Sequence, residues 1–223
     1  MTSAAGASAA VPSGKPTLGD SIASLRVIAD AVGWVHALRI GASISTPSAS
    51  KALFSGLSAA TDDREVASRE QAGPAILLYR ALTEHVGQAR ALEVTGDVVA
   101  TGALRFLGRQ LQDLDPAAFV AASDAERRAS ADRWIDAFFT ADAALDEVTE
   151  STVVFNVSGC ALHRLAAATG HPELAPVFCR ADAAFFANRT PPIDLHRPTT
   201  IASGDDQCRF ELSMAQPQAD RKP

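Results

Sequence analysis

The stretch that decides the fold runs over residues 152–170 and reads TVVFNVSGCALHRLAAATG. Its first part, residues 152–157, is β-branched and aromatic, which is typical of a strand that packs on a core. Apolar residues then recur at helical spacing over about residues 159–169, and Gly170 follows as a glycine that ends a helix. The stretch therefore predicts a strand that leads directly into a helix, with Cys160 at the junction.

Downstream of this stretch, the pattern predicts one more helix and then a β-hairpin. The helical segment begins at Pro172 and ends before the Pro191-Pro192 pair. Apolar and polar residues then alternate over residues 193–202 and 207–213, with the turn sequence Gly204-Asp205-Asp206 between them. In the second strand three residues share the predicted buried face: Cys208, Phe210 and Leu212.

Upstream of the strand, the pattern is helical. Apolar residues recur at steps of three and four from Leu18 to about Leu145, which predicts helices throughout this part. Pro47 is predicted to open one helix and Gly73-Pro74 another. Residues 91–108 contain three glycines among valines and leucines, which indicates either close packing between helices or a helix broken beside a ligand.

We therefore predict one α+β domain over residues 18–214. An N-terminal helical bundle, residues 18–150, is expected to pack on a small antiparallel sheet in a β-α-α-β-β part, residues 151–214, with two helices between its strands. The segments 1–17 and 215–223 are small, polar and interrupted by proline or glycine, which predicts disordered tails.

The composition excludes several classes of function. The chain has 223 residues, of which 47% are hydrophobic and 21% charged, enough for one soluble domain with a core. A net charge of −6 with scattered arginines lacks the clustered basic surface that nucleic acid requires. No apolar run approaches the roughly 20 residues that span a bilayer. No signal peptide is evident, so we expect a cytoplasmic protein with reduced thiols.

The strongest chemical signal comes from the three cysteines, Cys160, Cys179 and Cys208, together with Asp182. Cys179 and Asp182 are three residues apart, so on a helix they share one face, where the carboxylate can exchange a proton. Free N–H groups and the helix dipole favour a thiolate at Cys160, at the start of a helix. His163, three residues later, is placed to pair with that thiol.

Two other interpretations of this cluster stay open. Free cysteine often acts as a small buried apolar residue, so two or more of the thiols could serve packing alone. Cys160, Cys179, Asp182 and Cys208 also make enough ligands for one zinc ion, although their separations differ from those of zinc fingers. Chemistry without a cofactor or metal is our first expectation, and bound zinc is the alternative.

The same residues give the chain a resemblance to a known family. Five short motifs follow one another: Phe155-Asn-Val-x-x-Cys160, Gly170-x-Pro-Glu-Leu174, Cys179-x-x-Asp182, an arginine-containing segment at Arg197 and Thr200, and Cys208-x-Phe210. Their succession resembles the C-terminal part of the L-2-amino-thiazoline-4-carboxylic acid hydrolase family. The resemblance implies an enzyme that hydrolytically opens a cyclic, amidine-like thiazoline.

By this resemblance, the candidate catalytic residues are Cys160, Cys179, Asp182 and Cys208. The candidate substrate-binding residues are Asn156, His163 and Arg197. Arg197, or another arginine nearby, is expected to bind a substrate carboxylate because a guanidinium donates two parallel hydrogen bonds. The expected reaction is hydrolysis of a non-peptide C–N bond in a small C=N-containing heterocycle by thiol attack. A biosynthetic cyclase or lyase and a metal- or small-molecule-binding sensor module are the alternatives. The expected partner is a small-molecule substrate, and a homodimer is an assembly that the sequence allows.

Overall fold

The computed structural model describes residues 18–214, so the tails predicted for 1–17 and 215–223 lie outside the described residues. Within that part of the chain the fold is α+β, as predicted. Its helices are α1 (Leu18–Val32), α2 (Trp34–Ile44), α3 (Pro47–Leu53), α4 (Asp63–Val86), α5 (Gln88–Gln110), α6 (Pro116–Ala121), α7 (Asp124–Asp136), α8 (Ala161–Ala168) and α9 (Ala175–Ala187). Its strands are β1 (Ala141–Val148), β2 (Thr152–Cys160), β3 (Ile193–His196) and β4 (Cys208–Met214). None of these helices has the length and apolar character that crossing a bilayer requires.

The four strands form one antiparallel sheet in the order β1-β2-β4-β3. Strand β3 pairs with β4 from Ile193 opposite Met214, so the predicted pairing forms. The first strand is shorter than the predicted range 193–202, because it ends at His196 and Ile201–Ser203 form a 3-10 helix. Strand β4 also pairs with β2, where Phe155 lies opposite Phe210 and their rings stack with centroids 4.6 Å apart. Buried aromatic pairs of this kind add about 0.5–1.5 kcal/mol beyond the area they bury.

Strand β1 corrects the predicted boundary between the helical part and the sheet. The prediction extended helix to about Leu145 and placed no strand before residue 151, whereas residues 141–148 form a ladder with β2. The sequence ADAALDEV is rich in helix-favouring residues. The strand prevails because β2 offers it backbone partners and because Ala141, Ala143 and Leu145 pack against the core. The C-terminal part is therefore β-β-α-α-β-β.

A bulge in β2 decides which way Cys160 faces. The pairing with β1 steps from Gly159 directly to Val157, so Ser158 is an extra residue. An extra residue reverses the side-chain alternation beyond it. Cys160 therefore shares the core-facing side of Val157 and Cys208, although plain alternation would place it on the opposite side.

Two hydrophobic clusters make up the core. The first contains residues of the five helices α1 through α5, of α8 and of the beginning of α9. The second joins the end of α5 with α6, α7, the sheet and the end of α9. Helices α5 and α9 contribute to both clusters, so they connect the helical bundle to the sheet. Each large apolar side chain fully buried in these clusters stabilises the fold by about 1.5–3 kcal/mol.

Helix α4 corrects the start predicted at Gly73-Pro74, which lies inside it. The helix begins after Asp62, whose carboxylate accepts a hydrogen bond from the backbone N–H of Glu65 at 2.8 Å. Pro74 removes one backbone donor, but Ala72 and Ile76 beside it are fully buried. Their packing outweighs the lost hydrogen bond, so the helix continues.

Helix α5 is continuous across all three of its glycines, so the alternative of a helix broken beside a ligand is wrong. A Cβ atom added at Gly96 would lie 3.2 Å from the Arg180 guanidinium on α9, whereas Gly102 and Gly108 have nothing within 4 Å. Close helix packing therefore accounts for one glycine of the three.

Candidate active site

Cys160 lies where β2 ends and α8 begins, as predicted. It is the N-cap residue of α8, with extended backbone angles of φ −127° and ψ 112°. The N–H of the next residue, Ala161, donates a hydrogen bond of 2.7 Å to the carbonyl of Thr140, just before β1. The helix start is thereby attached to the sheet edge, and Cys160 is held at the junction.

Burial and the helix start act on the Cys160 thiol in opposite directions. Burial raises the pKa of this thiol above its ordinary value, and the backbone N–H groups of His163 and Leu162 offset part of the rise. Negative charge on Cys208 and Asp182 raises the pKa further. Cys160 is therefore protonated at neutral pH and requires a base before it can act as a nucleophile.

A cleft of about 440 Å³ opens at Cys160. Its walls come from the beginnings of α4 and α8, the loop before β1, the end of β2 and the segment before β4. Eight ionisable residues line it: Asp62, Arg64, Glu65, Asp142, Cys160, His163, Arg164 and Asp206. Of the three cysteines, all within the described residues, Cys160 is the one that lines the cleft. A cleft of this volume suits a small molecule.

Cys179 and Asp182 lie one turn apart on α9, beside Arg197, which follows β3. The Nη2 atom of Arg197 donates a hydrogen bond of 2.5 Å to the Cys179 carbonyl, and its Nη1 lies 3.5 Å from Oδ2 of Asp182. The Arg197 guanidinium also stands over the Phe210 ring, with Cζ 5.2 Å from the ring centroid. These contacts on three sides fix the guanidinium against α9 and β4.

The ionisation of this pair follows from burial. Burial raises the pKa of Asp182 to about 6, and the Arg197 cation opposes that rise. Burial also raises the pKa of Cys179 to about 11, against the effect of Arg197, and the Asp182 charge raises it further. Asp182 can therefore exchange protons near neutral pH, whereas Cys179 remains a thiol.

Cys208 is buried behind one wall of the cleft. It is 5% exposed, and its Sγ atom accepts a hydrogen bond of 3.2 Å from the backbone N–H of Ile201. Ile201 itself lines the cleft. The sulfur of Cys208 is thus covered by the segment between β3 and β4.

The structure brings the four predicted catalytic residues into one neighbourhood. Negative charge on Asp182, Cys160 and Cys208 raises the pKa of Cys179, so these groups lie within electrostatic reach of its sulfur. The β2–α8 junction, α9 and the start of β4 supply them. The role of each residue in catalysis stays a prediction.

The predicted substrate-binding residues lie in three different places. His163 lines the cleft, and Arg197 lies in the cluster beside Asp182. Asn156 pairs with Arg209, one position from the pair of Val157 and Cys208, so its side chain lies on the opposite face of the sheet. Its Oδ1 atom is buried without a hydrogen-bond partner among residues 18–214. The roles of these three residues stay predictions.

That opposite face carries a network of ion pairs. Arg209 lies 2.7 Å from Asp146, the extra residue of a second bulge in β1, and 2.8 Å from Glu211. Glu211 also contacts His196 at 2.9 Å. Solvent screens such exposed pairs, so the network gives this face its polarity rather than the fold its stability.

Arg64, Glu65 and Arg164 are among the cleft residues that sequence reasoning missed. Arg164 follows His163 directly and lies four residues after Cys160, so helical spacing alone could have indicated it. Arg64 and Glu65 come from the start of α4, and no sequence spacing connects them with α8. Their place in the cleft follows from the packing of α4 against α8.

The zinc alternative depends on geometry. Across residues 18–214, no group of three or more histidine, cysteine, aspartate or glutamate side chains is arranged to hold a metal ion. The four residues proposed as ligands therefore share a neighbourhood without forming a coordination sphere in this conformation.

Comparison with known proteins adds the family. The family model for L-2-amino-thiazoline-4-carboxylic acid hydrolase matches residues 68–212, which is more than half of the chain. The chain belongs to this family. The family's name describes a hydrolase that acts on a thiazoline carboxylic acid. No curated protein matches the chain, and no solved structure matches it.

The match extends the resemblance seen in the sequence. It covers most of α4 and continues through the sheet, so it contains all four predicted catalytic residues. Arg64 and Glu65, on the α4 side of the cleft, precede the matched residues. The family match therefore includes the cysteine cluster and one wall of the cleft, but not the first turn of α4.

Proposed function

We propose that this protein is a thiol-dependent hydrolase that opens a small, thiazoline-type heterocycle in the cleft at Cys160. The observation that carries the proposal is the position of Cys160, which lines the cleft together with His163. Membership of the hydrolase family supports the reaction class. The volume of the cleft supports a small substrate.

The first step is thiol activation and attack. His163 lies three residues after Cys160 on α8 and lines the same cleft, so it accepts the thiol proton. The Cys160 thiolate then attacks the electrophilic C=N carbon and forms a tetrahedral adduct. The N–H groups of Leu162 and His163, which favour negative charge on the sulfur, stabilise the thiolate before it attacks.

The second step is ring opening. The ring C–N bond of the adduct breaks, and the nitrogen leaves with the bonding electron pair and takes a proton. Asp182 lies beside the cleft rather than in its lining, so in this proposal its proton reaches the nitrogen through a water molecule. Its pKa of about 6 keeps part of it protonated near neutral pH. Water then attacks the carbon bound to Cys160 and gives a proton back to the Asp182 carboxylate. The bond between that carbon and the Cys160 sulfur breaks, and His163 returns its proton to the thiolate, so the free thiol and the hydrolysed product separate.

Arg197, Cys179 and Cys208 surround the proposed acid without taking part in the reaction. Arg197 holds Asp182 and the end of the α9 turn that carries Cys179. Cys179 remains protonated because its pKa is about 11, and Cys208 is covered by the Ile201 segment. We therefore assign the nucleophile to Cys160 and a packing role to the other two thiols.

The test incubates the protein with L-2-amino-thiazoline-4-carboxylate and uses mass spectrometry to follow a product that is heavier than the substrate by one water. Cys160→Ser should lower kcat/KM by about 10³-fold or more. Asp182→Asn should lower kcat by about 10²–10⁴-fold, the range for a general acid or base. Cys208→Ala is the matched control, because it removes a cysteine from the same core face without touching the cleft.

Three outcomes separate the alternatives. Full turnover by Cys160→Ser would remove Cys160 as the nucleophile. Turnover that requires added zinc would favour a metalloenzyme. Tight binding of the thiazoline without any product from the unmodified protein would favour the sensor module over the enzyme.

A further inference from the structure

Arg164 is placed to meet a ligand that reaches Cys160. Cys160 is the N-cap residue of α8, Arg164 lies in the first turns of that helix, and both line the cleft. The Arg164 side chain is 54% exposed. A cation therefore stands in the cleft about one helical turn from the proposed nucleophile.

Glu65 forms an ion pair with Arg164 and has a second partner in Arg69. An Nη2 atom of Arg164 contacts Oε2 of Glu65, while the other oxygen, Oε1, accepts a hydrogen bond of 2.7 Å from Nε of Arg69. Burial raises the pKa of Glu65, but the hydrogen bonds from Arg164 and Arg69 prevail and keep that pKa below its ordinary value. Glu65 stays ionised and keeps Arg69 as a partner. Within residues 18–214 the Arg164 guanidinium donates to Glu65 alone, so its other N–H groups can bind a ligand.

Arg197 is less suited to the same task. Its side chain is 13% exposed, its donors engage Asp182 and the Cys179 carbonyl, and one face of its guanidinium covers Phe210. A ligand carboxylate at Arg197 would have to replace the Asp182 contact. Arg164 can bind a carboxylate without breaking a contact of the proposed acid.

We propose that Arg164, oriented by Glu65, is the carboxylate-binding residue of the cleft. The reaction that follows binding rests on the proposed function, whereas the binding itself does not. The guanidinium donates paired hydrogen bonds to the two carboxylate oxygens, and the electrophilic end of the ligand then lies toward Cys160. The sequence analysis had named Arg197, or another arginine nearby, for this role.

The acidic residues of the cleft narrow the ligand class further. Asp62 caps α4, and Asp142 lies 3.4 Å from Arg64, so both carboxylates have partners. Asp206, from the turn before β4, adds a further negative charge to the lining. The ligand that fits is a small acid whose other end carries a cationic amidine or ammonium group.

Binding in the Cys160→Ala background tests this assignment without turnover. Two probes are titrated calorimetrically: L-2-amino-thiazoline-4-carboxylate and 2-amino-thiazoline, which lacks the carboxylate. The acid should bind about 10–100-fold more tightly than its carboxylate-free analogue, as expected for hydrogen bonds between charged groups. Arg164→Gln should abolish that difference by weakening the acid alone.

Arg69→Gln is the matched control, because Arg69 bonds the same Glu65 and does not line the cleft. It should leave both affinities unchanged within about threefold, which is under 1 kcal/mol. An Arg164→Gln protein that still prefers the acid would overturn the assignment, and so would a parent protein that binds both probes equally or neither.

The same variants separate this inference from the proposed function. Carboxylate-dependent binding through Arg164 without any hydrolysis by the unmodified protein would contradict the hydrolase and retain Arg164. Hydrolysis with an unchanged KM in Arg164→Gln would retain the hydrolase and contradict the role of Arg164. A thermal unfolding midpoint close to that of the parent would show that the variant is folded.

Discussion

The backbone N–H of Ile201 donates a hydrogen bond of 3.2 Å to the sulfur of Cys208, while Ile201 itself lines the cleft that opens at Cys160. One short segment between β3 and β4 thus separates two cysteines that share the core-facing side of the sheet. The cleft side of this segment is accessible to small molecules, and the other side is core.

Alkylation should distinguish these cysteines in the folded protein. We expect iodoacetamide to label Cys160 first and Cys208 last, because Cys208 is 5% exposed and lies behind Ile201. The rate at Cys160 should keep rising above pH 9, since burial raises the pKa of that thiol. Peptide mass spectrometry after timed quenching measures both rates. Equal rates at Cys160 and Cys208 in native protein would contradict the cleft geometry.

Asp182 should make stability fall as pH rises from about 4 to 6. Burial raises its pKa in the folded state to about 6 from an ordinary 3.8, so the folded protein binds this proton more tightly than the unfolded chain. The protonated carboxyl carries no penalty below pH 4, and the buried carboxylate costs on the order of 2 kcal/mol above pH 6. Urea unfolding of the unmodified protein and of Asp182→Asn measures the difference.

The comparison with Asp182→Asn is necessary because other carboxylates act in the opposite sense. Hydrogen bonds lower the pKa of Glu211, and they do the same at Glu173 despite its burial, so both residues stabilise the fold as pH rises through the acidic range. The difference between the two proteins isolates Asp182. If the two proteins differ in unfolding free energy by the same amount at every pH between 4 and 7, the pKa of Asp182 is not raised in the folded state.

Removing Arg197 should lower the stability of the fold and raise the pKa of Asp182. Arg197→Gln leaves Asp182 buried without its cation, so the unfolding free energy should fall by about 2–4 kcal/mol. The pH midpoint attributed to Asp182 should move upward, because Arg197 lowers that pKa. Arg209→Gln on the opposite face of the sheet is the control and should lower the unfolding free energy much less, because solvent screens its ion pairs. Equal losses in both variants would argue against the Arg197–Asp182 contact.

Gly159→Ala should destabilise the protein when Asp142 is present and should not do so when Asp142 is replaced by alanine. A Cβ atom at Gly159 would lie 2.5 Å from Oδ2 of Asp142, so the carboxylate must swing away and leave Arg64. Gly159→Ala should therefore cost about 1 kcal/mol of unfolding free energy. The double variant Gly159→Ala/Asp142→Ala should recover that loss relative to Asp142→Ala alone. Additive losses in this cycle would exclude the predicted contact.

Local patterns predicted those elements whose sequence and environment agree. The β-branched run of β2 and the alternation in β4 each indicated the observed structure. Strand β1 was missed because ADAALDEV favours helix locally, and its strand state depends on hydrogen bonds to β2. The start of α4 was missed because Pro74 suggested a boundary that burial on both sides overrides.

The sequence by itself determined the α+β class, the strand-to-helix junction at Cys160 and the one-turn spacing of Cys179 and Asp182. These features depend on propensities and periodicities within a few residues of chain. Tertiary structure alone decided which residues meet. The bulge at Ser158 turns Cys160 toward the core face, and the packing of α4 on α8 brings Glu65 to Arg164. Long-range contacts of this kind depend on how whole elements pack, and no local pattern encodes them.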